Sequence, residues 1–375
     1  MAFVLAKGSF EGYTWLVSDA LKTPLYDVHV AAGGKMVEFA QYLLPVQYKS
    51  VIQESKAVRG AAGMFDVSHM ARLTLRGNHV LDFLQQVTTN DVDKLTDGTG
   101  QYSMLPNATG GIVDDIIVYR MSQTDYRMVV NAANHAKDLA HLKEQNRYGV
   151  EITDVTTETA MIAVQGPDAV KKLAILSDQS DELAAAGMFG VVMSEIAGKK
   201  CFCARSGYTG EDGYEVVTQA SDAEHVWNAL VDAGVEPCGL GARDVLRVEA
   251  GLPLYGHELR EDMSPISAGL GWVVSKTKEF LGSDYINRTR EEGTPQKLQG
   301  IKMASRRLPN PGMKVFVDDQ EVGEISSGVF SPLFDCGIGF AFVDAQHGIG
   351  TKCKVDVRGS MEAAEIVSKR FFKRA

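Results

Sequence analysis

Residues 107–120 read NATGGIVDDIIVYR: a turn-forming run from Asn107 to Gly111 opens into an apolar segment that carries two adjacent acids, Asp114 and Asp115. In a β-strand, side chains alternate between faces. Val113, Asp115, Ile117 and Tyr119 would then share one face, and Ile112, Asp114, Ile116 and Val118 the other. The two acids point in opposite directions and cannot share a task. A buried carboxylate costs free energy unless it is paired or hydrogen-bonded. Two readings stand: both acids sit at the strand mouth and cap the turn, where Asp is common, or one points inward and lines a cavity.

A second constellation is SGYTGEDGYEV, residues 206–216, with Gly207, Gly210 and Gly213 in a G-x-x-G-x-x-G spacing. A dinucleotide loop needs G-x-G-x-x-G followed by a helix, whose N-terminus meets the phosphate. Here a strand pattern follows, so the stretch reads as a glycine-rich connection between strands. Glu215 lies inside that strand, on the face of Val217 and opposite Tyr214 and Val216. A third constellation is CGLGARDVLRVEAGLPLYG, residues 238–256. Gly239 and Gly241 lead into a helix, Arg243–Ala250, closed by Gly251 and Pro253. Arg243 falls in the first turn, where the helix dipole disfavours a cation. It either pairs locally with an acid or reaches a ligand or buried carboxylate. In FDVSHM, residues 65–70, His69 near Ser68 and Asp66 has the ingredients of a triad but no nucleophile elbow. It reads as a structural histidine.

Elements of both kinds must hold these groups. A helix is expected around Val80–Val87 with Asn78 as N-cap. Another follows the capping-box spacing Ser221–Glu224 and stops at Gly234, and a third follows Gly166-Pro167-Asp168. Strands are expected at ARLTLRG, DYRMVVNAA, TAMIAVQG, KKCFCARSG and GYEVVT. The two kinds interleave without a βαβ rhythm, which indicates α+β. The polar segment 286–299, INRTREEGTPQKLQ, reads as a linker. Short β-like runs beyond it suggest a small barrel or sandwich.

The 375 residues allow two or three domains. A formal net charge of -10 argues against a general nucleic-acid binder, which would carry a basic footprint. No apolar run reaches the length of a membrane span. Five scattered cysteines do not make a disulfide scaffold or a zinc site; Cys201 and Cys203 would share one strand face as buried reduced thiols. Residues 1–22 lack the charged-then-apolar pattern of a signal peptide and read as an extension or the remnant of a leader.

Taken together, TPLYDVHVAAGGKMVEFA (23–40), LPVQY (44–48), GMFDVSHM (63–70), NATGGIVDDIIVYR, VVNAAN (129–134), AVQGP (163–167), SGYTGEDGYE, CGLGARDVLRVEAGLPLYG and SSGVFSP (326–332) resemble, in order, the aminomethyltransferases, the T proteins of the glycine cleavage system. The resemblance implies an α+β, three-domain clover-leaf: two α+β folate-binding units over residues 23–290 and a small C-terminal β-barrel over 291–375. It implies transfer of a one-carbon unit from the aminomethyl-dihydrolipoyl arm of H protein to tetrahydrofolate, with release of ammonia and no metal. The partners it implies are H protein and tetrahydrofolate, with no nucleic acid or membrane, in the mitochondrial matrix or the bacterial cytoplasm.

By the same resemblance, Asp115 faces the folate cavity as the catalytic carboxylate and Glu215 holds the donor edge of the pteridine. Arg243 contacts folate, and Met70, Tyr102, Tyr119, Asn131, Tyr208 and Trp272 line the pocket. The chain departs from the family at Gln41-Tyr42, where Gly-Trp is usual. It also departs at its end, Ser368 to Phe372, so no C-terminal folate contact is carried over and a solvated basic tail is expected. A related folate-dependent demethylase and a non-catalytic folate-binding protein remain as alternatives.

Overall fold

The computed structural model describes residues 20–374. The strand with the two acids, Ile112–Ser122, is the second of a five-stranded antiparallel sheet. In order, the sheet runs Thr99–Pro106, Ile112–Ser122, Asp125–Val130, Ala71–Arg76 and Glu151–Asp154. One face packs Leu73, Leu75, Val118 and Met128 against Phe83 and Leu84 of the helix Val80–Val87 and Leu142 of the helix His135–Gln145. The apolar alternation of each strand supplies this face.

A six-stranded sheet runs Val191–Ile196, Lys199–Ala204, Gly213–Gln219, Thr159–Gln165, Gly63–Asp66 and Glu236–Pro237. Its outer face buries Tyr214, Val216, Cys201 and Cys203 beneath the helices Ala169–Ile175 and Ala223–Asp232. The other face meets the first sheet. Phe65, Met161, Ala163, Phe202 and Ala204 come from the second sheet, and Tyr119 and Val129 from the first. This layer between the sheets is where the alternation sends Glu215, since its neighbours Tyr214 and Val216 point the other way.

Beyond both lies a closed six-stranded barrel of Gln296–Met303, Lys314–Val317, Gln320–Ser331, Cys336–Asp344, Lys352–Val357 and Ser360–Val367. The helix Leu240–Ala250 joins the layer between the sheets to the barrel. Ala242 and Leu246 enter the layer between the sheets, while Val245 and Val248 pack on the barrel. Arg247, 2 % exposed, donates to Asp244 (2.8 Å), to Glu258 (3.2 Å) and to Ser327 Oγ of the barrel (2.9 Å). Glu249 receives Arg59 at 2.8 Å and the barrel residue Ser331 at 2.6 Å. Gly251 ends the helix in the left-handed region (φ 81°).

Several expectations are corrected. His79, not Asn78, precedes the helix Val80–Val87, and its side chain makes no cap hydrogen bond. The Ser221–Glu224 capping box does not form, because a 3₁₀ turn, Ala220–Asp222, runs directly into the helix. The polar segment at 286–299 is largely the helix Ser283–Glu292, anchored by buried Ile286 and ended at Gly293, and the start of the first barrel strand. The tail is docked rather than solvated: Lys369 Nζ donates to Ala268 O (2.6 Å), and Phe372 N to Glu249 O (2.7 Å). The Phe372 ring lies 3.8 Å under the Arg59 guanidinium. Two adjacent phenylalanines give the tail enough apolar surface to bind, which its charge count concealed. Most of the 1–22 extension lies outside the described residues; Leu21 and Lys22 pair with Tyr42 and Leu43.

Candidate active site

The turn before the acids needs no carboxylate. Asn107 Oδ1 accepts from Thr109 N (3.0 Å), Thr109 Oγ1 (2.9 Å) and Gly111 N (2.9 Å). A Cβ on Gly111 would sit 1.7 Å from Glu261 O, so only glycine lets this turn dock there. A register shift between Leu105 and Pro106 then breaks the alternation at the strand entrance. Val113 packs with Ile116 and Val118 instead of on the face of Asp115. From Asp114 onward the alternation holds. Asp114 is fully buried on the helix side, and Ile117 and Tyr119 turn with Asp115 toward the layer between the sheets.

The two acids share one donor, Asn131, and each has others of its own. Asp115 Oδ2 accepts from Tyr102 Oη (2.9 Å) and Oδ1 from Asn131 Nδ2 (2.9 Å). Asn131 also reaches Asp114, through Nδ2 to Oδ1 and through its backbone N to Oδ2, both at 2.9 Å. Asn134 Nδ2 completes the set on Asp114 Oδ1 at 2.5 Å. Burial first, then the adjacent charge of Asp114, pushes the Asp115 carboxyl up to about 7, with Tyr102 and Asn131 holding it back. A carboxyl poised there gains or loses a proton near neutrality.

Glu215 is 6 % exposed and accepts from Ser206 Oγ at 2.5 Å. Ser206 is in turn 3.1 Å from Tyr119 Oη. Burial raises the Glu215 carboxyl, while Ser206 and the charge of Arg243 oppose the rise. Arg243 makes no local ion pair among the described residues; Asp244 beside it serves Arg247. Its guanidinium lies 4.8 Å over the Tyr208 ring, and Nη1 is buried without a partner among the described residues. Burial pulls its pKa down, and Glu215 and Tyr208 resist. A buried guanidinium with an unused N–H is a donor in need of an acceptor. Tyr208, fixed through its hydroxyl to Pro253 O, lies within electrostatic reach of both Arg243 and Asp115.

The remaining residues expected at the pocket are spread in depth. Met70 is half-buried against the layer between the sheets. Tyr119 is fully buried, edge-on to Phe202, behind Ser206 and Glu215. Trp272 is 72 % exposed and stacks on Tyr102 at 6.2 Å, so it stands at a rim rather than in a wall. The triad suggested by FDVSHM is absent. Asp66 accepts from Thr23 (2.6 Å) and pairs with His29 (2.9 Å), while His69 packs on Phe39. Burial, with Arg243 nearby, pushes His69 down to about 3. Among the described residues no group of three His, Cys, Asp or Glu could hold a metal ion.

Sequence reasoning missed Asp114's role together with Asn134 and Asp138. A signal was available: Asn134, Asp138 and Leu142 recur every four residues, one helical stripe, and all three are buried.

Residues 25–278 match the GCVT N-terminal domain, and residues 296–373 the glycine cleavage T-protein C-terminal barrel domain. The chain is 47 % identical over 339 residues to an aminomethyltransferase of Thermus thermophilus, covering 90 % of this chain and 95 % of the relative. An aminomethyltransferase of Geobacillus kaustophilus is 45 % identical over 362 residues, 94 % of this chain and 99 % of its own. The crystal structure of glycine cleavage system aminomethyltransferase T from Bartonella henselae has a TM-score of 0.87 at 31 % identity, covering 94 % of this chain and 98 % of that one. Two facing α+β sheets with a closed barrel beside them therefore define a transferase of the glycine cleavage T-protein class. The chain belongs to the aminomethyltransferase family, whose work lies in glycine catabolism and one-carbon metabolism.

Proposed function

We propose that this enzyme takes the aminomethyl group from the dihydrolipoyl arm of an H protein, releases ammonia and forms 5,10-methylenetetrahydrofolate, with Asp115 as the catalytic carboxylate. The observation that carries the assignment is that a carboxyl poised near neutrality, the buried Glu215 carboxyl and an Arg243 guanidinium whose Nη1 has no partner among the described residues lie within electrostatic reach of one another and of Tyr208. The pair suits a pteridine. Glu215 can accept from a ring N–H and the adjacent amino group side by side, and Arg243 Nη1 can donate to the neighbouring carbonyl. Tyr208, which already carries Arg243 on its face, and the half-buried Met70 offer surface to a flat heteroaromatic ring.

Asp115, as carboxylate, orients the folate amines and takes up a proton as the new C–N bond forms. It also stabilises positive charge on the iminium-like carbon. Tyr102 and Asn131 fix both of its oxygens, so the group needs little reorganisation during the reaction. Tyr119 supports Glu215 through Ser206, and Trp272 guards the rim at Tyr102. Residues 23–290 supply the folate-binding surface and 291–375 the barrel that backs the helix Leu240–Ala250. No helix among the described residues is long and apolar enough to cross a membrane.

Asp115→Asn tests the assignment. Tetrahydrofolate affinity by calorimetry should stay within roughly threefold, while turnover of aminomethyl-loaded H protein falls by about 10²-fold or more. Turnover at the native rate would remove Asp115 from the chemistry.

A further inference from the structure

Asp138 lies on the first turn of the helix His135–Gln145 and is fully buried. Neither of its carboxyl oxygens receives a hydrogen bond from any described residue. A carboxylate with no donor is not tolerated at such a depth. Its neighbour Asp114 is the reverse case: equally buried, it accepts from Asn131 N, Asn131 Nδ2 and Asn134 Nδ2. Asn134, which donates to Asp114 Oδ1, and Asp138 stand one turn apart on the same buried face of the helix, and this brings the carboxyl of Asp138 beside that of Asp114, each raising or lowering the other's proton affinity. Two carboxyl groups side by side hold one proton between them, and the donors already on Asp114 leave that proton on Asp138.

We propose that Asp138 is a positioning residue of the active site: its protonated carboxyl donates to Asp114 and, through Asp114 and Asn131, fixes the carboxylate of Asp115. The inference rests on the reading of Asp115 as the working acid. Asn131 Nδ2 serves Asp114 Oδ1, Asp115 O and Asp115 Oδ1 at once, so its place depends on where Asp114 is held. The proton on Asp138 supplies the contact that holds Asp114 from the helix side. It also keeps a third negative charge out of a group that already carries Asp114 and Asp115.

The other charged and titratable groups facing this cluster agree. Lys137 adjoins Asp138, but its Nζ is committed to Tyr255 Oη and Glu261 Oε1, both at 2.8 Å. Glu261 and Glu144 lie toward His141, one turn further along the helix. Tyr102 faces the cluster from the far side of Asp115. The helix N-terminus favours an anion at Asp138. Burial, then the charge of Asp114, outweighs it and pushes the Asp138 carboxyl up to about 10.

Infrared spectroscopy of the whole enzyme carrying ¹³C-carboxyl aspartate reads the proton directly, without turnover. At about pH 9, where ordinary carboxyls and most of Asp115 are ionised, a protonated-carboxyl band should persist in the native enzyme and vanish in Asp138→Asn. A native enzyme without the band, or a variant that keeps it, overturns the assignment. Turnover then tests the role. Asp138→Asn keeps a neutral donor and should hold the acid limb of the pH profile in place, with kcat within about threefold of native. Asp138→Ala should lower kcat about tenfold or more with KM for tetrahydrofolate unchanged. An acid limb that moves down in Asp138→Asn would mean that a charge beside Asp115 had been removed, which contradicts the proposal. A native kcat in Asp138→Ala does the same; if that variant does not fold, the Asp138→Asn profile decides. The infrared result stands even if Asp115→Asn leaves turnover intact, so failure of this inference is distinct from failure of the Asp115 assignment.

Discussion

Replacing Tyr102 by Phe removes one oxygen and keeps the ring that stacks on Trp272. What is lost is the 2.9 Å donation to Asp115 Oδ2, the largest of the influences holding that carboxyl down. A hydrogen bond to a charged acceptor contributes about 1.5–3 kcal/mol, and one pH unit corresponds to about 1.4 kcal/mol. The midpoint of Asp115 should therefore rise by roughly one to two units, from about 7 to between about 8 and 9. Water can reach the half-buried carboxyl and replace part of the lost donor, which favours the lower end.

With the ionised form as the working one, about half of the native enzyme is active at pH 7. Only about a tenth to a hundredth of the variant would be. The expected loss in kcat/KM is thus roughly 5- to 50-fold at pH 7, closing to within about twofold near pH 9.5. The assay is kcat/KM against pH with aminomethyl-loaded H protein and tetrahydrofolate, following methylene-folate. A loss that is equal at every pH, or an acid limb that does not move, would refute the argument that Tyr102 sets the proton affinity of Asp115.

Glu215→Ala should weaken tetrahydrofolate binding in calorimetry by about 10- to 100-fold, the loss of a charged hydrogen-bond acceptor; unchanged affinity would remove Glu215 from the site. Arg247→Met leaves Glu258 buried without its cation and should cost about 3–5 kcal/mol in denaturant unfolding. Gln41, with φ at 69°, holds a left-handed conformation in the turn between the strands Lys35–Phe39 and Tyr42–Gln47. Gln41→Gly should therefore stabilise the protein by about 1 kcal/mol, read as a higher midpoint of thermal unfolding.

Which residues share a face with Asp115 was legible because strand alternation is a local rule, and it holds from Asp114 onward; that this face looks inward came only from the family resemblance. The rule failed at Val113, where the register shift opposite Leu105 and Pro106 depends on how Gly111 docks against Glu261, a partner 150 residues away in sequence. The strand face taken by Glu215, opposite Tyr214 and Val216, followed from the same local rule. For Arg243 the residues alone left a local pair and a distant partner both open, since Asp244 was in reach of either arginine. Packing of Arg247 onto Glu258 and Ser327 drew Asp244 away. The tail misled because its lysines and arginines outnumber its aromatics, yet Phe371 and Phe372 find surfaces made by Phe340 and Arg59. Asp138 escaped notice because no helix was read over residues 135–145, so the four-residue spacing of Asn134, Asp138 and Leu142 went unused.

The helix Leu240–Ala250 is held by side chains that precede it in the chain, follow it closely and belong to the barrel, and this constrains any recombination of the family. Glu249 is gripped by Arg59 from one side and Ser331 from the other, and Arg247 by Glu258 and Ser327. A chimera joined near residue 295, the natural crossover by topology, would take the helix from one parent and its serine clasps from the other. Parents that differ at Ser327 or Ser331 would yield hybrids in which the ion pairs survive but Arg247 and Glu258, or Glu249, lose a buried hydroxyl partner, so compatible splices are those that exchange the clasp residues together with the helix.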